Sequence, residues 1–188
     1  MITHGIRSDY ISGRNFGWPD SVLVHRLANI VADGVVVGEH SRIDAFVTIT
    51  GKVRLGARVH IGASACIFGG SGVVMGDGCT LSSGARIFTG TSDVHSDALS
   101  GACLPGRDGI YAPVIVGAFT EIGSGSVVLP GAVIGDEVQI ASNATVRAGA
   151  KIPDNQVWGG LPAHYLCPRT KIDRVRMSVP RETVKDKT

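Results

Sequence analysis

Between Thr89 and Pro113 the chain reads TGTSDVHSDALSGACLPGRDGIYAP, and near its centre His95 has an aspartate two residues away on each side, Asp93 and Asp97. Near neutral pH imidazole is the side chain best matched to accepting a proton. A carboxylate on its other ring nitrogen would hold it in one orientation. Asp93 and Asp97 are both within reach by sequence, and the spacing does not choose between them. Turn formation is the competing use of either, since a loop aspartate readily bonds its own backbone. Arg107, Asp108 and Tyr111 lie in the same stretch. The chemistry on offer is activation of a hydroxyl or an amine by a general base.

The stretch matters because of what it interrupts. Stepping by six from Val31 gives Val37, Ile43, Ile49, Leu55, Ile61 and Ile67; after a two-residue slip come Met75, Leu81 and Ile87. Beyond the gap the series resumes with Val116, Ile122, Val128, Ile134, Ile140, Val146 and Ile152. All seventeen positions are Ile, Leu, Val or Met, which chance does not produce. Four residues after a marker sits a small or β-branched residue, as at Ser41, Val59, Ala65, Thr120, Ser126, Ala132 and Ala150. Glycine often follows the marker directly, at Gly38, Gly56, Gly62, Gly76, Gly117, Gly123 and Gly135, as expected if corners need backbone angles forbidden to side chains. Neither a helical period nor strict alternation fits. A coil of short parallel strands, three hexapeptides to a turn and about five turns tall, does. The expectation is an all-β parallel β-helix over 31–153 with a loop excursion at 89–113, a leader over 1–30 and a cap and tail over 154–188. A short helix over Ser21–Ala28, begun by Asp20, is expected in the leader.

Composition narrows the function classes. The 188 residues are 44% hydrophobic and 18% charged with a formal net charge of +2, which describes a folded domain without the basic surface of a nucleic-acid reader. No apolar run approaches the ~18 residues that suggest a membrane span. The four cysteines lack metal-type spacing, and the chain is expected to be cytoplasmic.

The stretch PVIVGAFTEIGSGSVVLPGAVIGDEVQIASNATVRAGAKIPDNQVWGGLPAHYL resembles the C-terminal half of the hexapeptide-repeat acetyltransferases, and among them the galactoside, maltose and O-antigen sugar acetyltransferases. The resemblance is carried by Ala112-Pro113, Pro130-Gly131, the run from Ile152-Pro153 into Val157, and the closing Gly160-Leu161-Pro162-Ala163. It implies a left-handed coil, a homotrimer, acetyl-CoA as cosubstrate between neighbouring coils, and a sugar or sugar-nucleotide acceptor. It also implies that a histidine in the extended loop is the base, a place that His95 fills. An oxyanion donor is then required; Ser83 and Ser124 both qualify, beside backbone N–H groups. Small residues would let the pantetheine arm approach the backbone at Gly123, Ser124, Ala141 and Ser142. Arg147, Lys151, His164 and Arg169 are the cations for the nucleotide phosphates, and Trp158 is a surface for adenine or a cap on the core. The reaction expected is acetyl transfer to a sugar hydroxyl. The alternatives are transfer to the amine of a nucleotide-linked amino sugar, and a non-catalytic scaffold. Carbonic anhydrases of the gamma type use the same coil with zinc on three histidines, two of them five residues apart; no His pair here has that spacing.

Overall fold

The computed structural model describes residues 9–31, 33–93 and 109–169. Their strands stack in parallel along three faces of a prism. On the first face the outward residues Leu23, Arg42, His60, Thr80, Glu121, Gln139 and Val157 lie in register from turn to turn. The second face carries Asn29, Thr48, Cys66, Arg86, Val127 and Thr145. The third carries Val36, Arg54, Val74, Ile115, Val133 and Lys151. Thr48–Leu55 and Cys66–Met75 each run from the second face round to the third. The coil thus completes six turns rather than about five, because parallel pairing starts at Leu23–His25 and ends at Gln156–Gly160.

The inward column is the hydrophobic core. Sixteen of the seventeen marker residues are buried, and Val31 is the exception at 53% exposure. Ile30 takes its place, facing Ile49 in register and packing on the core. Three of the small positions between them carry hydroxyls. Ser41, Thr120 and Ser126 accept the N–H of Val59, Val138 and Ala144 at 3.0–3.1 Å and donate to the carbonyls of Gly56, Gly135 and Ala141 at 2.7–3.1 Å. Each hydroxyl staples one turn to the next and leaves no buried polar atom of its own unpaired.

The post-marker glycines are explained by packing, not by backbone angle. None of the seven has positive φ; in each case the left-handed residue comes two positions later, at His40, Arg58, Ser64, Gly78, Phe119, Gly125 and Glu137. A Cβ on Gly38 would lie 2.5 Å from the Gly56 carbonyl carbon, and one on Gly123 2.6 Å from the Ile140 oxygen. Glycine is required there because the next turn passes directly over it.

The leader departs from the expected helix. Val22 and Val24 are fully buried and Leu23–His25 pairs with Arg42–Ile43, so alternating β-branched residues gain a strand partner that a helix would forgo. Among the described residues the helical turn is the 3-10 segment Gly13–Phe16, capped by the Ser12 hydroxyl, and Asp20 bonds Arg14 instead of capping a helix. Trp18, 8% exposed, seals this end of the core and donates its indole N–H to the Val35 carbonyl at 3.0 Å. At the other end Gln156–Gly160 turns back through Leu161-Pro162 into the antiparallel Ala163–Pro168. The Gly160–Ala163 closing motif is the bend of this hairpin.

Candidate functional site

The interruption leaves the coil at the edge between its second and third faces, on the fourth turn. Thr89 is the buried anchor: its hydroxyl donates to the Phe68 carbonyl at 2.8 Å and accepts the Ser71 N–H at 3.0 Å. The returning strand is tied to the same residue by Ala112 N–H to the Thr89 carbonyl, 3.1 Å. Between them Gly90–Ser92 and Gly109–Tyr111 form a two-stranded antiparallel stem. Phe68 and Phe88 stack in front of it with centroids 5.3 Å apart. The stem delivers the chain to Asp93, which is half-buried. His95 and Asp97 lie outside the described residues.

The remaining expected residues fall on three different edges. Ser83, Gly123-Ser124 and Ala141-Ser142 form a column on the edge between the first and second faces. Ser83 and Ser124 are exposed, and their carbonyls accept the N–H groups of Gly125 and Asn143 in the turn above at 3.1 and 2.9 Å. This column is one face away from the loop of the same chain. Arg147 and Lys151 stand on the loop's side two turns above it, where with Trp158, Val146, Ile152 and Ala163 they line a cleft of about 210 Å³. The indole N–H of Trp158 bonds Gln156 Oε1 at 2.7 Å, leaving the ring half-buried at the coil end. His164 is exposed on the closing hairpin, with Nδ1 3.3 Å from the Pro162 carbonyl. Arg169 sits at the third edge, where one guanidinium nitrogen donates to the carbonyls of Phe119 and Val138 at 3.0 and 3.1 Å. The structure therefore joins Arg147, Lys151 and Trp158 around one cleft, whose lining does not include His164 or Arg169.

One polar cluster was not singled out from the sequence. Asp44 accepts the Tyr10 hydroxyl at 2.6 Å, lies 2.8 Å from His60 Nε2 and pairs with Arg42 Nε at 2.9 Å. Burial pushes the Asp44 carboxyl up, but the bonds from Tyr10 and His60 and the charge of Arg42 prevail and hold it below the usual carboxylate range. Burial first, and then the bond to Asp44, push the Tyr10 phenol up to about 12. The signal was the spacing of eighteen between Arg42 and His60, one full turn, which places them side by side. Tyr10 reaches them only because the leader folds back on Leu23–His25. Among the described residues no three metal-ligating side chains converge.

The bacterial transferase hexapeptide family matches residues 34–69 and 110–153, and the hexapeptide repeat of succinyl-transferases matches 52–88. The putative lipopolysaccharide biosynthesis O-acetyl transferase WbbJ of Escherichia coli K12 is 35% identical over 74 residues, 38% of this chain and 37% of its own. Gamma carbonic anhydrase 1 of Arabidopsis thaliana mitochondria is 33% identical over 73 residues, 39% of this chain and 26% of its own. The chain thus spans between about a quarter and little more than a third of the curated relatives it matches. The likeness to AntD, an N-acyltransferase from Bacillus cereus solved with dTDP and 3-hydroxybutyryl-CoA, is longer: TM-score 0.80 and 26% identity over 86% of this chain and 90% of that one. A coil of hexapeptides with one stemmed interruption, matched by the hexapeptide models over 34–88 and 110–153, places the chain among the hexapeptide-repeat proteins of the left-handed β-helix fold.

Proposed function

We propose that this protein transfers an acetyl group from acetyl-CoA to a sugar acceptor at a site shared by adjacent copies of a homotrimer. The carrying observation is that Arg147 and Lys151 of the cleft stand on the edge of the coil that carries the loop stem, two turns apart, about 10 Å at the usual strand spacing, while Trp158 joins them from the first face at the coil end. A cofactor with its nucleotide in the cleft would present its thioester beside the loop. The Ser83–Ser124–Ser142 column stands on another edge, so a neighbouring copy is needed to bring it opposite the loop. AntD was solved with coenzyme A and acyl-CoA, which supports acyl-CoA as the donor here.

In this reading His95 takes the proton of the acceptor hydroxyl as its oxygen attacks the thioester carbonyl. The C–O bond forms, a tetrahedral oxyanion accepts a hydrogen bond from Ser83, Ser124 or a backbone N–H, and the C–S bond then breaks. The imidazolium returns its proton to the departing thiolate, and no covalent enzyme intermediate forms. Asp93 or Asp97 accepts a hydrogen bond from the other ring nitrogen. Gly123, Ser124, Ala141 and Ser142 of the neighbouring copy flank the pantetheine arm.

A second reading has specific support. AntD is an N-acyltransferase, and it was solved with dTDP-4-amino-4,6-dideoxyglucose, which favours the amine of a nucleotide-linked amino sugar; WbbJ favours a hydroxyl. Free thiol release from acetyl-CoA, followed across sugars and sugar nucleotides, tests the activity. Mild base separates the products, cleaving an ester and sparing an amide. His95→Ala should lower turnover by roughly two to four orders of magnitude without changing CoA affinity or assembly mass. Near-normal turnover would remove His95 from the mechanism.

A further inference from the structure

The foot of the loop carries a feature that the transfer chemistry does not use. Tyr111 is 68% exposed, the second most exposed large apolar or aromatic side chain among the described residues. Its ring nevertheless has a fixed bed. A Cβ on Gly90, its cross-strand partner, would lie 2.8 and 2.9 Å from Cδ1 and Cε1 on one side of the ring. A Cβ on Gly109, two residues before it on the same face of the stem, would lie 2.8 and 2.9 Å from Cε2 and Cζ on the other. Both edges of the ring are therefore pressed against bare backbone, and only glycine at both positions lets the ring lie there. The ring thus lies along the stem while 68% of the residue stays exposed.

From this geometry we infer that Tyr111 is a stacking platform for the pyrimidine base of a nucleotide-linked sugar acceptor. A planar aromatic face held on a rigid two-stranded support loses little conformational freedom on binding and accepts any flat π-system. Its position selects the acceptor over the donor. Ser92 pairs with Gly109 and Asp93 follows directly, so a base on Tyr111 lies about 10 Å along the stem from Asp93, and the sugar extends from it toward Asp93. The nucleotide end of acetyl-CoA is accommodated two turns higher, in the cleft of Arg147, Lys151 and Trp158. The inference rests on the nucleotide-linked reading of the acceptor and gives that reading a residue.

The test is calorimetric titration of the full chain with dTDP and separately with CoA, with assembly mass measured by light scattering. The wild type should bind dTDP; Tyr111→Ala should weaken that binding roughly tenfold, Tyr111→Phe should retain it, and CoA affinity and mass should stay unchanged in both. Gly90→Ala, which drives a methyl group into the ring, should weaken dTDP binding in the same direction. No binding of dTDP to the wild type, equal binding by Tyr111→Ala, loss of CoA affinity, or a change of mass would each overturn the inference, the last by making the ring a contact between copies. Failure of CoA to bind the wild type would instead count against the acyltransfer reading, whatever dTDP does.

Discussion

Trp18 and Trp158 cover opposite ends of the same core, and their surroundings diverge. Trp18 is 8% exposed and bonded to the backbone of the first complete turn, and Phe16 stacks on it at 4.8 Å. The leader that carries it is fastened across the first face by Tyr10, Asp44, Arg42 and His60. The Trp158 indole N–H bonds a side chain two residues away, part of the residue stays exposed, and it borders a cleft with two cations beside it. A parallel coil leaves an open core at each end, and both must be covered. One end is closed to hold the fold; the other is closed loosely enough to leave a cleft, the one proposed for the nucleotide.

That contrast can be broken most sharply by truncating each tryptophan. Trp18→Ala should cost about 3 to 5 kcal/mol of stability, the range for large-to-small changes in a packed core, read from chemical denaturation. Trp158→Ala should cost clearly less in the same assay while lowering CoA affinity; equal losses of stability would erase the distinction between the ends. Next in size, Arg147→Gln combined with Lys151→Gln should weaken CoA roughly tenfold, an effect that shrinks as salt is raised, with unfolding midpoints unchanged. An unchanged dissociation constant would remove the cleft from the donor site.

A separate effect, on stability alone, is expected from the strap. Tyr10→Phe deletes a hydrogen bond to a charged acceptor and should cost about 1.5 to 3 kcal/mol, against no change in CoA affinity. The smallest concerns pH. Because the folded Asp44 carboxyl is held below its ordinary value, its stabilising contribution is complete above the unfolded pKa of about 3.9 and is lost as pH falls through the lower folded value. Asp44→Asn should be less stable than the wild type near neutrality and converge with it in that acid range. Parallel stability curves for the two proteins down to the acid limit would show that Asp44 titrates elsewhere.

Legibility from sequence followed the range of the interactions. The markers from Val37 to Ile152 are buried as their period requires, since each strand faces its own neighbours one turn on and local pattern equals tertiary role. The start of the coil was misread by one residue, Val31 for Ile30, because turn-by-turn register there is set by pairing with Thr48-Ile49 and not by composition. The glycines were read at the right positions for the wrong reason. Close approach of the next turn, with carbonyls and the Asp77, Asp136 and Asp154 carboxylates above Gly56, Gly117 and Gly135, cannot be seen in a string of letters. Arg147, Lys151 and Trp158 all lie near the end of the repeat, and the structure joins them around one cleft. Arg169 follows them in the chain, yet its guanidinium is turned to the carbonyls of Phe119 and Val138, a choice made by where the closing hairpin lies.

The sequence by itself determined that this chain winds into a hexapeptide coil, that the coil is interrupted once, and that the interruption carries an imidazole between two carboxylates. All three are properties of spacing along the chain, and a repeating period survives without knowledge of what lies opposite. Only the tertiary structure decided that the loop and the serine column stand on different edges, that the cation cleft shares the loop's edge, and that Tyr111 lies flat on Gly90 and Gly109. Those depend on which corner each residue turns at and what the next turn places above it, and that information resides in contacts between residues far apart in the chain.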